Sequence, residues 1–399
     1  MQELKRIINY KRIILLLIAA TVNVVFFLYD NKPVMDEDII NKENVAHETY
    51  IKNYHEEVNA IIDNADKLKK YSIFNKAGSF SYANILQTAR DFERVKNVIL
   101  PEDEYKGVQA YTTYYYQYFF TMLVMMFVIY DMFAQRDNGM WSITYSCANG
   151  RIMYAIKQTG VIVVTGAFTH TLIYWSTFIA AMLQRGGVRD LVNPVQTIET
   201  FDKFTYPWSK IKYVTVLYLI SMVCIVALCI TIWGVFVMFR NRVYALVTML
   251  IFAAVEQFIY SHIDIHSVWN GLHYINIINI ININATFSSY RNWGVGTYVF
   301  PVFSVVLFVH IICAGVIGYI AINVSASMKP YKNTTFIKRF TDCVSAGCQK
   351  ILARIPFLFK EIHKFIFTSH CGWVVVVMLT VTAYVCQTGQ YHYTDDNKY

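Results

Sequence analysis

One acidic residue interrupts an apolar stretch of about twenty residues at 243–262. A carboxylate inside the hydrocarbon layer of a membrane costs about 2.5–3.5 kcal/mol when lipid surrounds it. Glu256 should therefore face other helices or a wet cavity, which makes it a candidate for a contact on a substrate path or in a gate. The alternative is a shallow position close to the membrane surface, since His262 follows six residues later.

Three polar residues after this stretch have the types that bind metals. His262 and His266 are four residues apart, a spacing that puts both rings on one helix face as in some zinc sites, and Asp264 lies between them. The plainer interpretation, which we favour, is a group of polar residues that ends a helix at the membrane surface. We expect no metal site.

No sequence motif for catalysis is present. The sequence contains no G-x-x-x-x-G-K-[ST], no H-E-x-x-H and no G-x-S-x-G pattern. A nucleotide-binding P-loop is therefore excluded. We expect a protein that is not an enzyme and that carries no cofactor.

The segment 135–157 has features of a docking site. Met140, Ile143 and Cys147 recur at helical spacing and form an apolar stripe, and an Asn-Gly pair at 149–150 is typical of a helix end followed by a turn. A short amphipathic helix of this kind suits the binding of a partner protein. An ordinary interfacial loop is the alternative.

The elements that position these residues are predicted to be membrane-spanning helices. Of the 399 residues, 56% are hydrophobic and only 16% are charged. The apolar residues fall in blocks long enough for a helix to cross a hydrocarbon core of about 30 Å. The pattern predicts an all-α polytopic membrane protein with spans at 13–29, 112–134, 158–183, 212–238, 243–262, 298–322 and 372–388.

Basic residues next to the spans predict the orientation. They precede the first span and recur in every second connection, so we place the N-terminus in the cytoplasm and the region 30–111 outside. The net charge of +8 is accordingly a topology signal rather than a sign of nucleic-acid binding. One loop, 184–211, conflicts with this pattern, since it places four basic residues outside: Arg185, Arg189, Lys203 and Lys210.

The region 30–111 is predicted to be a hairpin of two amphipathic helices. The helices should join near Gly78, with Ser79 as the N-cap of the second helix and Pro101 at its end. Apolar residues recur at three- and four-residue steps on both helices: Ile51, Tyr54, Val58, Ile61, Ala65 and Leu68 on the first, and Tyr82, Ile85, Leu86, Ala89, Phe92 and Val95 on the second.

Five tyrosines open the second span. An aromatic belt at the outer membrane surface is the interpretation we favour, and a stacking surface for a ligand is the alternative. The five are Tyr111, Tyr114, Tyr115, Tyr116 and Tyr118.

The docking segment resembles the coupling region of the membrane subunits of bacterial ABC exporters of the type 2 permease class. Gly139-Met140, Asn149-Gly150-Arg151 and Lys157 carry the resemblance, and the acidic element of that family is reduced here to Asp137. The resemblance covers about residues 1–325. It implies that the ATPase contacts these residues: Asp137, Gly139, Met140, Trp141, Ile143, Asn149, Gly150 and Arg151.

Other parts of the chain are similar to the same family. The basic amphipathic segment 1–12 resembles its interfacial elbow helix, and the Tyr-Ile-Asn sequence at 274–276 is similar to a stretch between its fifth and sixth spans. A helical domain after the first span resembles that of a Gram-positive subgroup. The resemblance implies a six-helix permease unit with an extracellular helical hairpin domain.

From this resemblance we expect a permease subunit in a bacterial cell membrane that exports a peptide, lipid or antibiotic-like substrate. Its expected partners are a separate ABC ATPase, a second permease unit and membrane lipid, without nucleic acid. Two other classes stay open. One is a membrane sensor or scaffold that binds an external ligand through 30–111, and the other is a membrane-embedded enzyme such as an acyltransferase.

The expected domain organisation ends with a partial repeat. After the elbow helix 1–12, the first span 13–29, the external domain 30–111 and the remaining spans in 112–325, a basic cytoplasmic linker occupies 326–371. The segment 372–399 then holds a seventh span. Because residues 361–366 repeat the pattern of residues 3–8, we expect a second unit, either fused after residue 399 or encoded separately.

Overall fold

The computed structural model describes residues 10–33, 36–71, 76, 78–101, 106–137, 150–239, 241–263 and 269–327. The predicted seventh span and second repeat at 372–399 lie outside these residues, as do nearly all of the predicted elbow helix and the basic linker. The chain divides into two units, Met1–Met238 with Thr248–Met328, and Phe239–Val247 with Lys329–Tyr399. The described part of the second unit is Phe239 and the segment 241–247, in which a helix begins at Arg242.

Six helices in the described residues are long and apolar enough to cross a membrane. They coincide with the first six predicted spans, so the prediction of an all-α polytopic membrane protein is confirmed at that level. The six helices are α1 (Tyr10–Asp30), α5 (Tyr116–Asp137), α6 (Gly150–Arg185), α7 (Lys210–Met238), α8 (Arg242–His262) and α12 (Val302–Ala326).

The sixth span begins later than its apolar composition predicts. Residues 298–301 belong to a β-hairpin in which β1 (Asn292–Val295) pairs antiparallel with β2 (Tyr298–Pro301). Gly296 has a φ of +64°, which a tight turn requires and which glycine adopts without a steric penalty. The predicted start at 298 is wrong because hydropathy alone does not separate an apolar strand from the helix that follows it.

The loop between the second and third spans is shorter than 135–157. Helix α5 continues to Asp137, and α6 already begins at Gly150. The expectation that Gly150 ends a helix is therefore wrong, because this residue opens the next one. The apolar sequence of 152–156 explains the difference, since it continues without a break into the span.

Helix α7 lies at the centre of the spans and packs against α5, α6 and α12. Small residues allow a close approach of the backbones, as is usual between helices in membranes. A Cβ atom on Gly234 would lie 2.4 Å from Cγ2 of Ile317 in α12, and one on Gly318 would lie 2.9 Å from Cγ2 of Ile230. Glycine at both positions is therefore a packing requirement.

At one end of the spans, three connecting regions form what we call the cap, defined as the described residues of 31–115, 186–209 and 263–301. The first region contributes α2 (Glu37–Leu68), α3 (Phe80–Glu93) and α4 (Gly107–Thr113). The second contains 3-10 turns at Arg189–Val192, Val195–Thr197 and Glu199–Phe201. The third contains α9 (Asn270–Ile275), α10 (Ile278–Ile281), α11 (Ile283–Ser288) and the β-hairpin.

Helices α2 and α3 form the predicted hairpin. Ser79 caps α3 by accepting a hydrogen bond from the backbone N–H of Tyr82 at 3.2 Å, and Gly78 takes a φ of +86° in the preceding turn. Pro101 does not end the second helix, because α3 stops at Glu93 and the chain folds back so that later apolar residues join the core. That core contains Tyr54, Val58, Ile62, Phe92, Val95 and Leu100.

Hydrogen bonds connect the three cap regions with one another. The hydroxyl of Tyr50 in α2 donates to the carbonyl of Gln196 at 2.8 Å, and that of Tyr290 donates to Asp91 of α3 at 3.0 Å. Because the three connections meet, the helix ends that they join lie at one end of the spans, so α1 and α6 run toward the cap, whereas α5, α7 and α12 run away from it.

Candidate functional site

Glu256 of α8 binds the backbone of the cap. Its Oε2 atom accepts a hydrogen bond from the N–H of Ile277 at 3.0 Å, and its own carbonyl accepts one from Nδ2 of Asn276 at 2.7 Å. The side chain is half-buried. Six residues separate it from the end of α8, about 9 Å along a helix, so the carboxylate sits toward the cap end of the span.

The segment bound by Glu256 is a helical path broken at two residues, Asn276 and Ile277, which separate α9 from α10. Asn276 is buried and accepts a hydrogen bond through Oδ1 from the N–H of Ile278 at 2.7 Å. Asn276 therefore bonds both to α8 and to the start of α10. Buried backbone polar groups outside helices need such partners, because an unpaired one is costly.

Glu256 lies toward the cap end of its span and makes a specific contact with the connection that follows α8. Its role on a substrate path or in a gate stays a prediction. Its other carboxylate oxygen, Oε1, makes no hydrogen bond to any described residue.

Polar and aromatic side chains occupy the interior between the spans. Nδ2 of Asn23 in α1 donates to the Thr177 hydroxyl of α6 at 2.7 Å, and the Tyr114 hydroxyl donates to Oδ1 of Asn23 at 3.1 Å. Nε2 of His170 in α6 lies 2.9 Å from Oγ of Ser221 in α7. These bonds satisfy groups that hydrocarbon would leave unpaired, and they join three spans.

Two histidines of the spans, His170 and His310, are packed and hydrogen-bonded. His170 is buried between the stacked rings of Tyr118 and Tyr218, at centroid distances of 6.0 and 5.8 Å. His310 in α12 is half-buried, and its Nδ1 atom lies 2.7 Å from the carbonyl oxygen of Val306.

The prediction of an aromatic belt at the start of the second span is wrong for three of its five tyrosines. Tyr111, Tyr114 and Tyr118 are at most 2% exposed and point into the protein rather than toward lipid. Tyr111, for example, makes an edge contact with Tyr174 of α6 at 5.2 Å. Tyr111 lies in α4, Tyr114 follows the end of α4 and Tyr118 lies in α5, so no helical spacing within one element shows that they share an inward face.

Two of the four basic residues that conflict with the predicted topology have internal roles. Lys210 forms an ion pair with Asp190 in which the two side chains are 0% and 1% exposed. Arg185 donates from Nε to the carbonyl of Asn31 at 3.0 Å and from Nη2 to that of Lys32 at 2.8 Å, just beyond the end of α1. Both residues hold the cap to the spans.

Of the predicted ATPase-coupling residues, the structure describes those at the edges. Asp137 is the last residue of α5, while Gly150 and Arg151 are the first two of α6. Gly139, Met140, Trp141, Ile143 and Asn149 lie outside the described residues. Since α5 and α6 meet the cap at their other ends, Asp137 and Gly150 lie at the end remote from the cap.

The predicted polar group after α8 is described only at His262. This residue ends α8, and its ring stacks on Phe258 with a centroid distance of 4.1 Å. Asp264 and His266 lie outside the described residues. Within the part of the chain that the structure describes, no three His, Cys, Asp or Glu side chains are grouped to hold a metal ion.

The geometry thus offers a half-buried carboxylate beside a broken connection, a polar interior and a segment that joins two long helices. Comparison with known proteins adds no relative. No family model, no curated protein and no solved structure matches this chain.

Proposed function

We propose that this chain is the permease subunit of an ATP-driven ABC exporter in a bacterial cell membrane, with its N-terminus in the cytoplasm and its cap outside. A separate ATPase supplies the energy. The observation that carries the proposal is the pair of hydrogen bonds between α8, at Glu256, and the broken segment at 276–277. These two bonds tie the connection after α8 to that helix, so a movement of α8 would carry the connection with it, as a gate requires.

The two ends of the protein are joined by one continuous helix. Helix α6 runs for 36 residues from Gly150 to Arg185, about 54 Å at 1.5 Å per residue. Its first residues belong to the docking segment 135–157, and its last residue binds the backbone just beyond the end of α1. An ATPase that closes on ATP and displaces the docking segment would move α6 as a rigid body and shift the cap with it.

The expected substrate is a peptide, a lipid or an antibiotic-like molecule. The free Oε1 atom of Glu256 suits an amine or hydroxyl donor on that substrate, since a carboxylate accepts hydrogen bonds only. The substitution Glu256→Gln keeps the shape and removes the charge. We expect it to lower export and to leave binding of the ATPase unchanged, whereas unchanged export would remove Glu256 from the path.

The test of the whole proposal is co-purification with an ABC ATPase encoded beside this gene. We expect the complex to form with the parent chain and to be lost when Met140, Trp141 and Ile143 are all changed to Asp, because a docking helix that buries apolar side chains cannot accept unpaired charges. A control changes exposed apolar residues of α2, Ile39 and Val45, to Asp and should leave the complex intact.

Retention of the ATPase at parental strength by the triple variant would place coupling elsewhere. Failure of any ABC ATPase to bind the parent chain would contradict the exporter proposal itself. The membrane sensor is the second candidate, because the α2–α3 hairpin has its own apolar core and can present a ligand surface. Binding of an external ligand to the cap, together with a neighbouring kinase gene, would favour the sensor.

We further propose that a second permease unit completes the transporter, since a path between two halves needs both. Chemical cross-linking of the purified complex in nanodiscs, followed by mass measurement, should detect two permease units for each pair of ATPases.

A further inference from the structure

The turn after α6 exposes apolar side chains at the point where the helix leaves its span. Leu183 lies in the last turn of α6 and is 82% exposed. Val188, just before the following 3-10 turn, and Val192, the last residue of that turn, are 66% and 79% exposed. Three apolar side chains within ten residues are thus left exposed by the described part of the chain.

This surface is held in a fixed orientation. Asp190 lies in the same 3-10 turn, but its side chain is buried in the ion pair with Lys210, and Nδ2 of Asn193 also donates to it. Because Asp190 anchors the inner side of the turn, Val188, Arg189 and Val192 remain on the outer side. Arg189 is exposed, and no hydrogen bond or ion pair of its side chain occurs among the described residues.

The end of α1 continues the same surface. Nε2 of Gln184 donates to the carbonyl of Leu28 at 3.0 Å, so the last turns of α6 and α1 are side by side. Tyr29 in that turn of α1 is 70% exposed, and the ammonium of Lys32 lies 4.3 Å from its ring centroid. An aromatic ring and a lysine next to apolar side chains at span ends are typical of a membrane surface.

We propose that this surface, which we call the rim (Tyr29, Leu183, Val188, Arg189 and Val192), inserts into the lipid layer at the cap end and binds anionic phospholipid. The valines and Leu183 enter the boundary between headgroups and acyl chains. The guanidinium of Arg189 pairs with a lipid phosphate, for which its planar donors are well suited. The proposal for the rim requires only that the spans cross a membrane, so it is independent of whether the chain is an exporter.

The first test measures depth in the membrane. The fluorophore NBD is attached to the Val188→Cys variant of the full chain, and the labelled protein is reconstituted in nanodiscs. The signal of the parent chain, treated in the same way, is subtracted. Val45→Cys on α2, an exposed position of the cap, is the control. We expect blue-shifted emission and strong quenching by doxyl-labelled lipid at position 188, and emission typical of water without quenching at position 45.

The second test concerns the headgroup. With nanodiscs of phosphatidylcholine and phosphatidylglycerol in equal parts, doxyl label on phosphatidylglycerol should quench position 188 more than label on phosphatidylcholine. One arginine at an anionic surface accounts for about a fivefold local preference. The substitution Arg189→Gln should remove that preference, whereas Lys203→Gln, which alters another exposed cation of the cap, should retain it.

Equal quenching at positions 188 and 45 would overturn insertion of the rim. Blue-shifted emission at position 188 without quenching by any doxyl lipid would also overturn it, because another protein surface would then cover the rim. An unaltered lipid preference in Arg189→Gln would overturn the role of Arg189 in phosphate binding.

Discussion

The buried ion pair between Lys210 and Asp190 provides the sharpest test of how the cap is attached to the spans. The two side chains are 0% and 1% exposed, so neither charge has water to replace its partner. Removal of one partner of a buried pair costs about 3–5 kcal/mol, since the remaining charge is left uncompensated. The substitution Lys210→Met keeps an unbranched side chain one atom shorter, removes the charge, and should cost this amount.

A loss of 3–5 kcal/mol changes the unfolding equilibrium by roughly two to four orders of magnitude. The double variant Lys210→Met with Asp190→Leu removes both charges and should recover most of the loss, because a buried pair often contributes little net stability over apolar residues. Asn193, which donates to Asp190, would keep a polar group there, so the recovery should be incomplete.

The assay is reversible unfolding of the purified chain in mixed detergent micelles, followed by circular dichroism and by protease cleavage of the cap. A double-mutant cycle over Lys210 and Asp190 isolates the interaction between them. The reasoning is refuted if Lys210→Met stays within about 0.5 kcal/mol of the parent, the size expected of an ordinary surface substitution.

Three further predictions address topology, packing and pH. In intact cells, Asn64→Cys in α2 should react with an impermeant maleimide and Asn138→Cys should not; the reverse pattern would invert the orientation. A Cβ on Gly294 would lie 2.2 Å from the ring of Phe80, so Gly294→Ala should cost about 1–3 kcal/mol and speed proteolysis of the β-hairpin. Adding Phe80→Leu to this variant should restore its resistance to protease. Burial raises the pKa of Tyr290 to about 12, so its hydroxyl stays protonated in the folded cap at a pH where the same tyrosine ionises in the unfolded chain. The stability of the cap should therefore fall as the pH rises above about 10, and the fall should be smaller in Tyr290→Phe.

The spans and the cap hairpin are predictable because their signals are local. A run of apolar residues specifies a span wherever its neighbours lie, and the N-cap at Ser79 depends only on a backbone N–H three residues away. The inward faces of α2 and α3 follow from helical spacing for the same reason. Tyr54 and Phe92, both on the predicted faces, are in the hairpin core.

The partners of the candidate site are not local, and the sequence does not disclose them. Glu256 bonds to Ile277, 21 residues later, and nothing in the sequence between them indicates that these two residues meet. The tyrosines before the second span show a related limit. Composition near a span end suits a lipid-facing belt, and only the contacts with α6 decide that Tyr111 faces inward.

The four basic residues of 184–211 illustrate how folded-state roles can oppose a topology signal. Basic residues in short loops bias orientation during insertion, so each one at the cap end acts against the proposed topology. Arg185 binds two carbonyls beyond α1, and Lys210 neutralises a buried carboxylate; loss of either would weaken the cap. Lys203 lies 4.0 Å from Asp202, and Arg189 has a proposed partner in a lipid phosphate. Each cation therefore has a reason to be present that is independent of orientation, and the loop does not require the reverse topology.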